Sequence, residues 1–276
     1  MICFPSCKIN LGLRITQKRA DGFHALETVF YPITLTDALE IIIEPETSAA
    51  PLTFTSSGLA INGDPSDNLC FKAYGLLKKD YPTIPNIKMH LHKTIPMGAG
   101  LGGGSADGAF TLVALNQLFN LQLSVDKLMQ YALTLGSDCP FFIINTPAFA
   151  TGRGEILKPI NVNLDGYYIV IVNPGIAIST KLAFSLITPK VPDNNLAAVI
   201  QQPISTWKDV LINDFEQPIF NSFPELANIK ETLYQKGAVY ASMTGTGSTV
   251  YGIFPTSMMD TLSFNFPSHY FIATAS

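Results

Sequence analysis

Between Pro96 and Ala109 the chain reads PMGAGLGGGSADGA, with five glycines in the seven positions 98–104 and a sixth at Gly108. The run is framed by an apolar–polar alternation over Ile87 to His92 and by helical periodicity over Ser105 to Phe119. It therefore has to be a strand-to-helix turn. Glycine reaches positive φ without steric penalty and leaves no side chain between backbone N–H groups and a ligand, so the amides of such a turn can converge on an anion. A helix opened by Ser105, Ala106 and Asp107 turns its positive end toward the same point. A chain of phosphates is the expected occupant. An ordinary surface loop would mix its glycines with several serines or prolines, and this one does not.

Three kinds of phosphate loop are distinguishable at this level. A Walker A loop ends in Gly-Lys-Ser/Thr, whereas Gly104 is followed directly by Ser105. A dinucleotide fingerprint G-x-G-x-x-G is formally present as Gly98, Gly100 and Gly103, but so many glycines satisfy that pattern cheaply. The acid expected about 20 residues further on, at the end of a second strand, would be Asp126, which lies in a turn and helix start instead. The His-Arg-Asp and Asp-Phe-Gly partners of a protein-kinase loop do not occur.

The 276 residues suffice for about two domains. Charged residues make up only 14% against 47% hydrophobic, which implies a well-buried protein. With a net charge of −4 and 17 basic residues in no cluster longer than a pair such as Lys78-Lys79, a nucleic-acid partner is not expected. Cys3, Cys7, Cys70 and Cys139 lack CxxC spacing and read as reduced, buried thiols. No basic-then-apolar leader opens the chain, and the best apolar run, Tyr168 to Val172, is far short of a membrane span. A cytoplasmic protein with no membrane partner is expected.

Strand patterns cover Ile2 to Leu13 and Val29 to Ile43, the latter broken at Thr36-Asp37. Asp67-Asn68 caps a helix through Lys79, and Ile87, Met89 and Leu91 point inward from the next strand. A helix over Asp126 to Leu135 ends at Gly136, ahead of an apolar strand expected at Phe141 to Ile144. Beyond a boundary near Lys158 to Gly166, the pattern predicts a strand at Tyr167 to Asn173. Short helices follow around Thr180 to Leu186, Leu196 to Gln201, Thr206 to Asn213 and Pro224 to Lys236. Strands at Ala238 to Thr244, Thr249 to Phe254 and His269 to Thr274 close the chain. Without strict βα alternation, the class is α+β.

A loop alone does not transfer a phosphoryl group; a cation at the phosphates and a carboxylate to orient the nucleophile are also needed. Lys8 and Asn10 stand at i, i+2 in an apolar strand and share a face. Asp138 lies where the glycine-ended helix meets Cys139-Pro140. Taken singly, the first pair could be a polar outer face and the acid a turn residue. His90 and His92 also share a face, but no third metal ligand follows at useful spacing. Trp207 reads as core packing on an amphipathic helix.

Together these segments resemble the GHMP small-molecule kinases. The run P-x-G-A-G-L-G-G-G-S-A-D from Pro96 is similar to that family's ATP loop, and Thr244-Gly245-Thr246-Gly247-Ser248 to its C-terminal glycine turn. K-I-N-L at Lys8 to Leu11, R-x-D-G-[YF]-H at Arg19 to His24 and G-S-D-x-P-F-F at Gly136 to Phe142 resemble a branch whose alcohol acceptor carries a cytidine diphosphate.

The resemblance implies a two-domain fold. An N-terminal ATP-binding domain of the ribosomal-protein-S5-domain-2-like type would span 1–160, and a C-terminal α/β-sandwich domain 161–276. It implies ATP as co-substrate, Mg²⁺ as its counter-ion, direct transfer to the acceptor in isoprenoid biosynthesis, and a monomer or weak homodimer. Asp138 would orient or deprotonate the acceptor hydroxyl, with Lys8 beside it stabilising transferred charge. Asn68, Lys93, Pro96, Met97, Gly98, Ala99, Gly100, Leu101, Gly102, Gly103, Gly104, Ser105 and Ala106 would surround the nucleotide. Asn10, Phe23, His24, Phe30, Thr180, Phe184 and Gly245 would meet the acceptor, and Ser105 is the nearest candidate for the metal.

Two positions depart from the family pattern. Phe23 stands where tyrosine is common, which preserves stacking but removes a phenol hydrogen bond, and Lys181 stands where a small or acidic residue is expected. Asp107 follows the pattern and reads equally well as a first-turn helix acid. A nicotinamide-dependent oxidoreductase and a non-catalytic nucleotide-binding module are the competing classes. Preference for ATP over NADH separates the first, and the presence of both Lys8 and Asp138 speaks against the second.

Overall fold

The computed structural model describes residues 1–45, 50–61, 63–192 and 194–275. The chain opens with β1 (Ile2–Cys3), β2 (Ser6–Lys18), β3 (His24–Thr36), β4 (Ala38–Ile43) and β5 (Leu52–Gly58). Asn68 then starts α1 (Leu69–Asp80), its side chain accepting the otherwise unpaired Cys70 N–H at 2.8 Å. β6 (Ile87–Lys93) runs into the glycine turn and α2 (Gly103–Leu118), followed by α3 (Val125–Leu135) and α4 (Cys139–Ile144). After these come β7 (Ala148–Thr151), β8 (Ile156–Pro159), β9 (Tyr167–Asn173), α5 (Thr180–Ser185) and α6 (Leu196–Val199). The last elements are α7 (Glu216–Ser222), α8 (Pro224–Gln235), β10 (Tyr240–Met243), β11 (Val250–Pro255) and β12 (Phe271–Ala275).

Two compact units are built from interleaved stretches of chain. The first comprises Met1–Cys7, Leu35–Met97 and Gly102–Thr146. Its sheet runs β1-β4-β6-β5, with β5 and β6 parallel and joined through α1. Parallel neighbours require such a crossover. α2 packs on α1, α3 and α4, burying Leu112 and Leu115.

The second unit comprises Lys8–Thr34, Gly98–Leu101 and Pro147–Ser276. It contains the sheet β2-β3-β7-β8 and the antiparallel sheet β10-β11-β9-β12. Its core gathers Leu13, Ile15, Val170, Val172, Phe215, Leu226, Leu233 and Phe254.

Several local expectations are corrected. Phe141 to Ile144 is the end of helix α4 and not a strand: Pro140 stands in its first turn, where a missing N–H is harmless, and Asn145 closes it at φ 46. A short apolar run fits a buried helix as well as a strand. The helix expected over Thr206 to Asn213 is a 3₁₀ segment over Ile204–Asp209, with Trp207 buried edge-on against Tyr240 at 5.7 Å. The opening strand is split into β1 and β2 at Phe4-Pro5, proline being unable to donate to a ladder. Three of the four free thiols are buried, whereas Cys3 is half-buried.

Candidate active site

The glycine turn has the backbone its composition implies. Gly98, Gly100 and Gly102 take φ of 63°, 79° and 72°, the last as the N-cap of α2. α2 begins at Gly103, two residues before the expected Ser105, because a left-handed glycine cap carries no side-chain signal. The amides of Gly103, Gly104 and Ser105 thus form the first turn of a sixteen-residue helix, and a first-turn amide has no intrahelical partner. Asp107 consequently lies in the second turn, not the first, and is buried.

Within the second unit, Lys8 is tied to the glycine turn. Its backbone N–H donates to the Leu101 carbonyl at 3.0 Å, and its Nζ donates to the Gly100 carbonyl at 3.0 Å and to Asn10 Oδ1 at 2.7 Å. The ammonium also lies 5.1 Å from the Phe30 ring centroid. Both Lys8 and Asn10 are buried, which excludes the outer-face reading.

Asn10 Oδ1 additionally accepts the Gly245 N–H at 2.9 Å, and Asn10 Nδ2 donates to Thr28 at 2.9 Å. Thr244 Oγ1 accepts the Asn10 N–H at 3.1 Å. Asn10 and Gly245 therefore join the Lys8 strand to the second glycine turn, and any contact they make with an acceptor is additional to that work. A fully satisfied buried network of this kind holds its members in one geometry.

In the first unit, Asp138 precedes α4, half-buried, and its side chain makes no capping bond to that helix. The capping residues Asn68, Ser124 and Ser179, by contrast, spend their side chains on helix amides. Next to Asp138, the Cys139 thiol is buried. Burial pushes it up to about 12, so it is an inert thiol. α4 packs on α2, so the helix opened by the glycine turn and the candidate base lie in one unit.

Lys93 ends β6 with its side chain inward, where its Nζ pairs with Asp37 and, at 2.7 Å, with Asp107. Asp37 also accepts the Thr94 N–H at 2.6 Å and the Ile95 N–H at 2.9 Å, which fixes the exit of β6 into the glycine turn. The Lys93 ammonium is committed to these carboxylates, and its contribution to the loop is one of position. Burial lowers the Lys93 pKa, but Asp107 and Asp37 outweigh it and leave the group raised.

Asp107 moves the other way from an ordinary ion-paired acid. Burial, reinforced by Asp37, outweighs Lys93 and lifts it to about 7, and its Oδ1 has no partner among the described residues. Below that pKa and above the ordinary value of 3.8 the folded chain holds a proton that the unfolded chain has released. This group's contribution to stability therefore falls as pH rises through about 7. Asp107→Asn should show a shallower stability loss than the parent in urea unfolding between about pH 5.5 and 8. Equal slopes would exclude the assignment.

The segment Arg19 to His24 is a tight turn. Arg19 pairs with Asp21 at 2.9 Å and thereby holds its carboxyl below the usual range, and Asp21 accepts the Phe23 N–H at 3.1 Å. Phe23 is left 54% exposed. His24 stacks on Phe184 with centroids 4.9 Å apart and an interplanar angle of 26°. Thr180 is exposed in the first turn of α5, the helix that carries Phe184.

One further residue at this surface was not foreseen. The Arg153 guanidinium lies over the Phe23 ring at 4.8 Å. With 130 positions between the two, no local pattern could reveal the contact. Elsewhere, His90 and His92 are spent on Thr55 and Ser57 across β5 and β6, and no group of three His, Cys, Asp or Glu side chains suited to a metal occurs among the described residues.

A glycine-lined helix start beside a carboxylate, and a buried lysine bonded to the same glycine run, are the equipment of a small-molecule phosphotransferase. Family comparison agrees: the model for GHMP kinases N terminal domain matches residues 68–152, and that for GHMP kinases C terminal matches 198–259. The chain belongs to the GHMP kinase family. A relative from Bacteroides fragilis named 4-diphosphocytidyl-2-C-methyl-D-erythritol kinase is 52% identical over 92% of each chain. A crystal structure of 4-(cytidine 5'-diphospho)-2C-methyl-D-erythritol kinase superposes with a TM-score of 0.80 at 29% identity, covering 100% of this chain and 99% of the other. Mevalonate kinase from Methanococcus jannaschii shares the fold, with a TM-score of 0.69 at 14% identity over 100% of this chain and 97% of that one. No helix among the described residues is long and apolar enough to cross a membrane.

Proposed function

We propose that this chain phosphorylates the 2-hydroxyl of 4-diphosphocytidyl-2-C-methyl-D-erythritol with ATP, giving the 2-phosphate and ADP in non-mevalonate isoprenoid biosynthesis. The observation that carries the reading is the bonding of Lys8 to Gly100 and Leu101, which makes a buried cation and the phosphate turn one preorganised object. A nucleotide domain over 1–160 and a C-terminal domain over 161–276 belong to the same reading, with family models matched at 68–152 and 198–259, whereas the compact units interleave Lys8–Thr34 with Pro147–Ser276.

In the proposed reaction Asp138 accepts the acceptor's hydroxyl proton as its oxygen bonds to the γ-phosphorus. The bond to the β-phosphate oxygen breaks and ADP leaves, with no covalent enzyme intermediate. Lys8 balances charge that passes to the transferred group. The amides of the α2 first turn hold the phosphates at rest and during transfer. Mg²⁺, when bound with ATP, neutralises phosphate charge. The Ser105 hydroxyl, in the first turn of α2, would be its nearest protein donor. The partners are accordingly two small molecules, with neither nucleic acid nor membrane, in a cytoplasmic monomer or weak homodimer.

Homoserine or mevalonate as acceptor is the nearest competing choice within the fold. The exposed Phe23 ring and the His24–Phe184 stack favour a base-bearing acceptor, because a flat heterocycle needs an aromatic face and a polar edge, and a small hydroxy acid needs neither. A coupled ADP-release assay across cytidyl-methylerythritol, mevalonate and homoserine should rank the first above the others by at least about a hundredfold in kcat/KM, the scale on which unmatched polar groups are rejected. Equal or reversed ranking would overturn the substrate assignment.

A further inference from the structure

Arg153 has no role in the reading above, yet its placement is heavily constrained. It stands between Gly152 and Gly154, whose φ values of 72° and 105° turn the chain from β7 into β8. The Gly154 N–H closes this turn on the Thr151 carbonyl at 3.1 Å. Glu155 folds back over it: its carboxylate accepts the Arg153 backbone N–H and lies 3.7 Å from Arg153 Nε, and a Cβ on Gly152 would come within 2.8 Å of it. The same turn is fastened to β3 two residues beyond His24, where the Leu26 N–H donates to the Gly152 carbonyl at 2.8 Å. The whole device delivers one guanidinium to one face of one exposed ring.

A guanidinium held over one phenyl face covers that face and leaves the opposite one for a second flat group. A pyrimidine base offers such a flat π-face. Salt-bridge duty alone would not require the ring contact, and Glu155 could be met from solvent. We infer that Arg153 is a positioning residue of the acceptor site, holding the Phe23 ring so that its opposite face stacks on the cytosine base. This rests on the assignment of a cytidyl acceptor.

The test is steady-state kinetics of Arg153→Ala, Arg153→Lys, Phe23→Ala and the Phe23→Ala/Arg153→Ala pair, with the cytidyl acceptor and ATP varied separately. Arg153→Ala should raise the acceptor KM about three- to fivefold and leave the ATP KM and kcat within about twofold, the size of a partly exposed cation–π contact. Arg153→Lys, which keeps the charge and loses the planar fork, should fall in between. In the double variant the KM should be no higher than in Phe23→Ala alone, because the two residues act as one unit. An unchanged acceptor KM in Arg153→Ala, or parallel losses in ATP KM and kcat, would overturn the inference while the kinase assignment stands. Failure of the unaltered protein to use the cytidyl acceptor would overturn both.

Discussion

Asp138→Asn should bind ATP as the parent does and turn over at least about a hundredfold more slowly, the lower range of what a positioned general base contributes. The substitution hardly changes volume and keeps a polar group ahead of α4. What disappears is the capacity to take a proton. Because the Asp138 side chain does not cap α4, no helix amide is left newly unpaired, and urea unfolding of the variant alongside the parent separates a loss of fold from a loss of chemistry. ADP release gives kcat and calorimetry gives the ATP affinity. Turnover within a few-fold of the parent, or a matching loss of ATP binding, would remove Asp138 from the role of base.

How far that site was legible in the chain depended on whether its signals were local. The glycine turn was readable because positive φ leaves its mark on residue type at each position, and Gly98, Gly100 and Gly102 all adopt it. The break at Thr36-Asp37 and the cap at Asn68 are readable because they too are local, Asn68 accepting an N–H only two residues on. Where two structures share one pattern, reading failed. An apolar four-residue run cannot declare itself helix or strand, and Phe141 to Ile144 fit either pattern, with Asp138 just ahead of the element in both.

Lys93 is an intermediate case. The alternation that turned Ile87, Met89 and Leu91 inward also turns Lys93 inward, but the acids that make this tolerable come from Asp37 and Asp107, far away in sequence. A buried lysine signals a partner without naming it. The first-turn reading of Asp107 fails because the left-handed Gly102 cap hides the true start of α2. Residue patterns placed Phe23 and His24 in one turn, whereas the Arg153 guanidinium and the Phe184 ring reach them only through the pairing of β3 with β7 and the packing of α5.

Gly100→Ala should be the most damaging single change in the loop, and its companion Gly98→Ala a mild one, although both positions are left-handed glycines. The conformational cost of alanine at positive φ is about 1–2 kcal/mol at either site. Space separates them. A Cβ on Gly98 meets nothing within 4 Å, whereas one on Gly100 would lie 2.1 Å from the Thr244 carbonyl oxygen and 3.2 Å from that of Gly247. Both obstacles are backbone and cannot rotate away, so either the first glycine turn or the C-terminal one must move. The Gly100 carbonyl that holds Lys8 Nζ moves with it. Overpacking adds about 1–3 kcal/mol to the backbone term. Urea unfolding of Gly100→Ala should therefore show roughly 2–5 kcal/mol of lost stability, with ATP affinity down at least about tenfold, against about 1–2 kcal/mol and near-parental affinity for Gly98→Ala. Equal penalties at the two sites would mean that the close approach of the two glycine turns is not what requires glycine at position 100.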